Sequence, residues 1–249
     1  MKRFFVDKII PSDGLLSITG KEARHIRNVL RMKKGEMLIL IDREGQSFEA
    51  EIGAVHYKEV RVTITKLIPP SPPSPIKISL AQALIKSHSM EYLIQKVTEL
   101  GIYSIHPFYS ERTVIQLKSA HLKNKMDRWM QIIKSACKQC GRAILPDLHT
   151  PLRFEALIKD VPDIRTLKIL LWEDEDKVDL RRLLTSTDSA AHVFVIVGPE
   201  GGFTLNEINL AKDAGFYIVS LGNRILRAET AAVSLLSIIQ YEWGDLNLG

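Results

Sequence analysis

Residues 191–207 read AHVFVIVGPEGGFTLNE and join an apolar run, a glycine-rich turn and the start of a helix. The apolar run at 191–197 is typical of a strand that is buried on both faces of a sheet. Thr204 and Glu207 stand three residues apart, which is the spacing of a capping box and predicts a helix directly after the turn. A buried strand that leads through a short turn into a helix is the repeating unit of a parallel α/β sheet.

The rest of residues 76–249 repeats this alternation of apolar runs and helical patterns. We predict strands at 76–84, 167–172, 191–197 and 216–221, and helices near 89–100, 119–141, 204–214 and 228–242. The pattern predicts that this part of the chain is an α/β domain built on a parallel sheet.

A proline-rich stretch at 69–75 precedes that domain. It holds five of the eleven prolines. Because proline lacks an amide donor and fixes φ, we predict a semi-rigid linker here. Residues 1–68 then form a separate small domain, with predicted strands at 37–41, 47–52 and 60–65.

One helix is predicted between the strands of the small domain. It starts at a capping box formed by Thr19 and Glu22 and ends at Gly35. Ala23, Ile26 and Leu30 follow the capping box at helical spacing and are predicted to face the core. We therefore expect a compact barrel that carries one helix.

The composition excludes several classes of protein. The chain has 249 residues, of which 45% are hydrophobic and 25% charged, and this excludes a disordered chain, a collagen-like repeat and a coiled coil. No apolar run approaches the ~20 residues of a membrane-spanning helix, and the chain has only two cysteines, so we expect a soluble, cytoplasmic protein. Residues 1–75 hold 13 Lys and Arg against 9 Asp and Glu, so +4 of the total charge of +5 lies there. This charge permits an anionic partner.

Two loops are candidates for ligand binding, because each follows a predicted strand and precedes a predicted helix. The first, at 198–203, has three glycines that let a ligand approach the backbone, but it lacks the spacing of a dinucleotide motif or a P-loop. The second, at 221–231, places Arg224, Arg227 and Glu229 in an apolar neighbourhood. The alternatives are a plain tight turn in the first loop and, in the second, acidic and hydroxyl groups that favour a helix N-terminus without any ligand.

The predicted helix of the small domain carries four cations. Arg24, Arg27, Arg31 and Lys34 recur at spacings of three, four and three residues, which predicts that they share one face of the helix. A stripe of this kind usually only faces solvent. In a domain with net charge +4 it fits equally well with binding to the phosphate backbone of a nucleic acid.

Two further motifs are interpreted without a ligand. The four carboxylates at 173–176 are consecutive, and consecutive loop residues rarely converge on one ion, so we favour a solvated acidic loop and predict no metal site. Cys137 and Cys140 form a lone C-x-x-C inside a helical pattern. Zinc needs a second pair of ligands, and a redox motif belongs at a strand-to-helix turn, so both are predicted to be ordinary packing thiols.

The chain resembles the ribosomal RNA small subunit methyltransferase E family of the SPOUT superfamily over nearly its whole length. The resemblance is carried by Arg3-Phe4-Phe5, His25 with Val29-Leu30-Arg31-Met32, Glu99-Leu100-Gly101, Ser110-Glu111-Arg112, Gln139 with Gly141-Arg142, Gly198-Pro199-Glu200-Gly201-Gly202, and Leu221-Gly222 with Arg224-Ile225-Leu226-Arg227 and Glu229-Thr230-Ala231. It implies an N-terminal PUA-like RNA-binding β-barrel, a C-terminal α/β SPOUT domain with a deep trefoil knot, and a homodimer. It also implies S-adenosylmethionine as the cofactor and methylation of N3 of one uridine in 16S ribosomal RNA, within the small ribosomal subunit.

Candidate site residues follow from the two loops, the basic helix and the resemblance. The predicted cofactor pocket consists of Leu171, Val197, Gly198, Pro199, Glu200, Gly201, Gly202, Leu221, Gly222, Ile225, Leu226, Arg227 and Thr230. The predicted RNA-binding residues are Arg3, Arg24, Arg27, Arg31, Lys34, Arg112 and Arg142. As the catalytic hypothesis, Arg227 stabilises negative charge on the uracil, and Glu200 or Glu229 accepts the N3 proton.

Two alternatives stay open at this point. A different SPOUT enzyme would use a similar pocket to methylate the ribose 2′-hydroxyl of tRNA or rRNA. A chain that had lost cofactor binding would be a non-catalytic RNA-binding protein, although the glycines at 198, 201 and 202 argue against that reading.

Overall fold

The computed structural model describes residues 1–7, 14–70, 72, 74–115, 119–161, 165–175, 180–187 and 190–247. The chain divides into two compact units, of which the first comprises Met1–Pro72 and Lys134–Leu145 and the second comprises Pro73–Ile133 and Pro146–Gly249. Residues 134–145, which we expected in the α/β domain, therefore belong to the N-terminal unit. The linker at 69–75 stays a prediction, since residues 71 and 73 lie outside the described part of the chain.

The first unit is built on a five-stranded sheet. Its strands are β1 (Lys2–Phe5), β2 (Leu15–Thr19), β3 (Met37–Ile41), β4 (Ser47–Val55) and β5 (Glu59–Ile68), in the order β1-β3-β4-β5-β2. The three strands predicted from their apolar pattern are confirmed. The prediction missed β1 and β2, because runs of four and five residues are too short to show a clear period of two. Phe4, Leu38 and Ile52 form part of the buried core of this unit.

The helix of the first unit differs from its prediction. It consists of α1 (Gly20–Arg24) followed by one π-helical turn over His25–Val29. The predicted capping box is wrong, because no cap hydrogen bond of the Thr19 side chain is found among the described residues. The segment ends well before Gly35, at Leu30, and Arg31 follows with a left-handed φ of 51°.

The π-helical turn changes which side chains share a face. The amide of Leu30 donates to the carbonyl of His25, five residues back, and the wider turn breaks the 3.6-residue period on which the prediction rested. Arg31 and Lys34 lie beyond the end of the segment. The predicted single face of four cations is therefore wrong.

The second unit confirms the predicted parallel α/β sheet. Its strands are β6 (Lys77–Ala83), β7 (Ser104–Tyr109), β8 (Asp147–Leu148), β9 (Leu152–Arg153), β10 (Thr166–Leu171), β11 (His192–Val197) and β12 (Tyr217–Val219). The order is β12-β10-β11-β6-β7-β8, β9 also pairs with β7, and every pairing is parallel. Leu171 pairs with both Val197 and Val219, and Val197 pairs with Gln82, so the carboxyl ends of four neighbouring strands are level.

Helices accompany these strands in the described part of the chain. They are α2 (Ser87–Glu99), α3 (Ser119–Cys140), of which residues 134–140 belong to the first unit, α4 (Phe154–Lys159), α5 (Leu180–Thr185), α6 (Leu205–Asp213) and α7 (Ala228–Trp243). The four longer ones were predicted, and the two six-residue helices were missed. The capping box at the start of α6 is confirmed in both directions between Thr204 and Glu207. None of the helices in the described residues is long and apolar enough to cross a membrane.

Candidate functional site

A cavity of ≈ 490 Å³ lies over the level ends of β6, β10, β11 and β12. These four strands are neighbours in the sheet, in the order β12-β10-β11-β6. The carboxyl ends of parallel strands are where open α/β sheets bind their ligands. The cavity is lined by Lys86, Ser89, Leu171, Trp172, Glu173, Val197, Gly198, Pro199, Glu200, Gly202, Phe203, Val219, Ser220, Leu221, Gly222, Arg224, Ile225, Leu226, Arg227, Ala228, Glu229 and Ala231.

The first glycine loop forms one wall and requires its glycines for two different reasons. Gly202 has a φ of +69°, which an L side chain rarely adopts, and its amide donates to the carbonyl of Pro199 at 3.0 Å. Gly198 is needed for space, because a Cβ there would lie 2.9 Å from the ring of Phe203. A plain tight turn is therefore enough to require glycine at position 202. Glycine is required at position 198 because the loop packs closely on the core there.

A buried amide holds this loop from below. Gln82 stands near the end of β6 and is fully buried. Its Nε2 donates to the carbonyls of Gly198 and Ala83, both at 3.1 Å. The position of the Gly198 carbonyl is thus fixed by a side chain of the neighbouring strand.

The second loop, between β12 and α7, also lines the cavity and leaves apolar and basic groups accessible. Ile225 is 88% exposed and Leu226 is half-buried. Arg224 and Arg227 are exposed beside them. Exposed aliphatic groups between two cations provide a surface that a flat, polar-edged ring can cover.

Two carboxylates of the cavity are both bound by the start of α2. Oε1 of Glu200 accepts a hydrogen bond from the backbone amide of Lys86 at 3.1 Å. Oε1 of Glu229 accepts from Oγ of Ser89 at 3.0 Å. Glu229 also lies in the first turn of α7, where a negative charge is favourable. Glu229 can therefore stabilise the N-terminus of α7 and also line the cavity. Each of the two carboxylates retains lone pairs for a further partner.

Most of the predicted cofactor residues come together in this cavity. Eleven of the thirteen line it, and the remaining two, Gly201 and Thr230, belong to the described chain but lie outside the lining. The carbonyl of Gly201 instead accepts from Nη1 of Arg112 at 3.0 Å, so Arg112 supports the glycine loop from the side.

The sequence prediction missed the contribution of the β6–α2 connection. Lys86 and Ser89 line the cavity, although neither was selected from the sequence. A signal was available, because the predicted strand at 76–84 ends just before them and the predicted helix at 89–100 begins there. Trp172, Glu173, Ser220 and Arg224 also line the cavity without having been named as cofactor contacts.

The other predicted RNA-binding residues lie in the first unit. Arg24, Arg31 and Lys34 are exposed, whereas Arg27 is half-buried and donates from Nη1 to the carbonyl of Tyr57 at 2.8 Å. Arg3 packs beside Gly141, where a Cβ would lie 3.3 Å from its guanidinium. Arg142, the remaining member, is half-buried in the same unit.

The C-x-x-C motif and the acidic loop, which were both interpreted without a ligand, lie in different environments. Cys137 is buried, and burial raises the pKa of its thiol to about 12, so it is a protonated packing group. Cys140 is exposed, and its Sγ lies 3.9 Å from the carbonyl of Cys137. Glu173 of the acidic loop lines the cavity, and residue 176 lies outside the described part of the chain. Within the described ranges no group of three His, Cys, Asp or Glu is arranged to hold a metal.

A polar cluster lies away from the cavity, near the amino ends of the strands. Oγ of Ser79 is 2.6 Å from Oγ of Ser104 and 2.8 Å from Nε2 of His192. His106 binds Ser104 and stacks on His149 with ring centroids 3.9 Å apart. Burial lowers the pKa of His106 to about 4, with a smaller contribution from the other two histidines, so it is neutral at pH 7.

Comparison with known proteins identifies relatives of both units. Residues 72–240 match the family model of an RNA methyltransferase domain, and residues 18–65 match that of an RNA methyltransferase PUA domain. The ribosomal RNA small subunit methyltransferase E of Bacillus subtilis is 30% identical over 248 residues, which covers 97% of each chain.

Two solved structures have the same fold over almost their whole length. The ribosomal RNA small subunit methyltransferase E of Neisseria gonorrhoeae, bound to S-adenosyl methionine, is 30% identical with a TM-score of 0.89 and covers 99% of this chain and 100% of that chain. A Legionella pneumophila protein in complex with the bound cofactor SAM is 36% identical with a TM-score of 0.90 and covers 98% of both chains.

Proposed function

This chain belongs to the ribosomal RNA small subunit methyltransferase E family, and we propose that it transfers the methyl group of S-adenosylmethionine to N3 of one uridine in 16S ribosomal RNA. The observation that carries the proposal is the cavity, in which both predicted loops meet over four adjacent strand ends. The proposed place of action is the small ribosomal subunit, in the cytoplasm.

The residues around the cavity fit S-adenosylmethionine. A volume of ≈ 490 Å³ lies within the range of roughly 300–1,000 Å³ for ligand pockets. Adenine needs backbone donors and acceptors beside an apolar slot, and among the residues that line the cavity Val197, Gly198, Leu221, Ile225 and Leu226 can supply these. When bound, the cofactor supplies a methyl group that its sulfonium already activates. The protein then contributes mainly alignment of donor and acceptor.

The charged residues that line the cavity are proposed to accept the N3 proton of uracil and to stabilise the charge that its loss creates. Loss of this proton places negative charge on the two flanking carbonyl oxygens. Arg227 is exposed at the start of α7 and is the proposed cation that stabilises this charge. Glu200 and Glu229 are the proposed proton acceptors, and the α2 contacts described above hold both carboxylates in place.

The first unit is proposed to hold the RNA. Its family match is an RNA methyltransferase PUA domain, and the first 75 residues carry +4 of the net charge. Arg24, Arg31 and Lys34 are exposed there and are proposed to contact phosphates, together with Arg3, Arg27 and Arg142.

We also propose that the chain is a homodimer. The α7 helix supports this proposal, because Ile238 and Tyr241 lie three residues apart on it and are 41% and 64% exposed. Sedimentation equilibrium checks it: the expected mass is twice 28.2 kDa, and a mass that stays at the single-chain value at micromolar concentration rejects it.

The reaction is tested by mapping the transferred methyl group. The chain is incubated with methyl-labelled S-adenosylmethionine and small ribosomal subunits that lack the modification, and the RNA is digested and analysed by mass spectrometry. We expect 3-methyluridine at one position of 16S ribosomal RNA. A 2′-O-methylated nucleoside would instead support the ribose methyltransferase alternative. Absence of both transfer and calorimetric S-adenosylmethionine binding would support a non-catalytic RNA-binding protein.

A further inference from the structure

Tyr57 is the most exposed aromatic side chain in the described part of the chain. It lies at the tip of the hairpin formed by β4 and β5 and is 79% exposed, compared with 64% for Tyr241. The tip is closed by a backbone hydrogen bond, which the amide of His56 donates to the carbonyl of Glu59 at 2.8 Å. A large ring is thus held out into solvent on a short, closed turn.

Arg27 fixes the orientation of this ring without burying it. The guanidinium carbon of Arg27 lies 4.6 Å from the centroid of the Tyr57 ring, in the geometry of a cation–π contact. Its Nη1 also donates to the Tyr57 carbonyl at 2.8 Å, and its Nε donates to Oδ1 of Asn28 at 2.8 Å. The guanidinium therefore occupies one face of the ring, and little rotational freedom remains to be lost when a ligand covers the other face.

The charges around the ring favour an anionic ligand. Lys58 follows Tyr57 directly, and the nearest acid in the chain, Glu59, is already paired with Arg61 at 2.8 Å. An apolar protein partner would have to cover these cations, at a cost in desolvation. An unpaired nucleotide offers a flat base for the ring and a phosphate for the cations, which is the usual way in which proteins bind single-stranded RNA.

We propose that Tyr57, held by Arg27, is a stacking platform for one unpaired base of the RNA substrate. The inference rests on the proposed function and adds to it that the first unit recognises RNA in single-stranded form. Stacking is insensitive to which base is present, because each base has a π-face. Tyr57 therefore contributes affinity and placement of the strand, whereas the choice of nucleotide belongs to the cavity.

The test measures binding of two fluorescent RNA probes by anisotropy at several salt concentrations. One probe is a ten-nucleotide single strand of mixed sequence, and the other is the same strand annealed to its complement. The variants are Tyr57→Ala, Tyr57→Leu and Tyr57→Phe. Tyr92→Ala is the matched control, because Tyr92 is also exposed, at 46%, and has the Lys96 ammonium 5.9 Å from its ring centroid.

The expected results separate stacking from charge. Tyr57→Ala and Tyr57→Leu should weaken binding of the single strand by about 5- to 150-fold, the usual effect of losing one stacked base. The slope of log affinity against log salt should stay unchanged, because no phosphate contact is lost. Tyr57→Phe and Tyr92→Ala should bind within about 2-fold of the parent chain, as should Tyr57→Ala on the duplex.

Several outcomes would overturn the proposal. They are wild-type affinity in Tyr57→Ala, equal losses on the single strand and the duplex, a Tyr57→Phe chain as weak as Tyr57→Ala, or a parent chain that binds the duplex but not the single strand. Methyl transfer to small ribosomal subunits by the parent chain tests the proposed function separately. If the parent transfers methyl and Tyr57→Ala binds RNA normally, only the stacking role is lost.

Discussion

Alanine at position 198 tests whether the first glycine loop has room for any side chain. A Cβ on Gly198 would lie 2.9, 3.2 and 3.3 Å from three carbons of the Phe203 ring, well inside the optimal carbon–carbon separation of about 3.5–4.0 Å. The ring is 4% exposed and packs against Phe108 and Phe154, with ring centroids 6.4 and 5.8 Å away. Because these neighbours prevent the ring from moving away, the extra methyl group should lower the free energy of unfolding by about 1–3 kcal/mol.

We expect G198A to lower the free energy of unfolding by that amount and to weaken S-adenosylmethionine binding. The second effect follows because a displaced loop moves the Gly198 carbonyl away from Nε2 of Gln82, now 3.1 Å distant. Urea unfolding measures the first quantity and isothermal titration calorimetry the second. G201A is the matched control for stability: a Cβ there would have its nearest neighbour, Cβ of Arg112, at 3.4 Å, so the change should stay within about 0.5 kcal/mol.

The double variant G198A/F203L separates crowding from other effects of the substitution. Leucine lacks the ring edge that the new methyl group would meet. F203L should therefore cost about 1 kcal/mol less in the G198A background than in the parent chain. If the losses of unfolding free energy in G198A and F203L simply add in the double variant, crowding by the Phe203 ring is refuted. A G198A chain that unfolds at the same urea concentration as the parent would refute it as well.

Three further changes test the reaction, the basic surface and the buried histidine. Arg227→Ala should slow methyl transfer at saturating cofactor and RNA by about 10²–10³-fold, as the loss of one charge-stabilising donor does, and Arg227→Lys should lose less; an unchanged rate removes this residue from the mechanism. Replacing Arg24, Arg27 and Arg31 by alanine together should weaken RNA binding and reduce the slope of log affinity against log salt by about 2–3, which anisotropy titrations measure; unaltered affinity contradicts the role. The pKa of His106 is lowered by burial from 6.5 to about 4, so its contribution to stability is complete above pH 6.5 and is lost as the pH falls towards 4, by at most about 3 kcal/mol. The free energy of unfolding of His106→Asn should fall less steeply across this range than that of the parent, and parallel curves would show that another group is responsible.

The cavity shows which parts of a site a sequence can predict. Two glycine-rich or charged loops after buried strands were sufficient to find most of its lining, because parallel strands end at one edge of a sheet. The contributions of α2 were missed for a physical reason. Lys86 holds Glu200 with its backbone amide, and every residue except proline has one, so no residue type marks this contact in the sequence.

Gln82 illustrates the same limit from the core. Its sequence neighbours are apolar, and the pattern of strand β6 predicts a buried position without saying what the amide does. Only the register of β6 against β11 places it opposite Val197 and next to the Gly198 carbonyl. The trefoil knot that the family resemblance implies is likewise beyond such a pattern, because apolar periodicity specifies strands and helices but not the path by which the chain connects them.

The first helix shows that a spacing of cations in the sequence can suggest RNA as the partner on the basis of a helix geometry that the structure does not have. Ile26 and Met32 are both buried, and the amide of Met32 donates to the carbonyl of Ile26 at 3.1 Å across the end of the π-helical turn. Burial of this pair overrides the 3.6-residue period, and the left-handed Arg31 between them is part of the same turn. The alignment of cations that suggested phosphate binding is therefore absent in the described residues, and the RNA interpretation depends on net charge and on the PUA match instead. The triple arginine variant removes charge and also the Arg27 side chain that holds Tyr57, so only the Tyr57 variants test separately from charge whether the first unit binds RNA through a specific geometry.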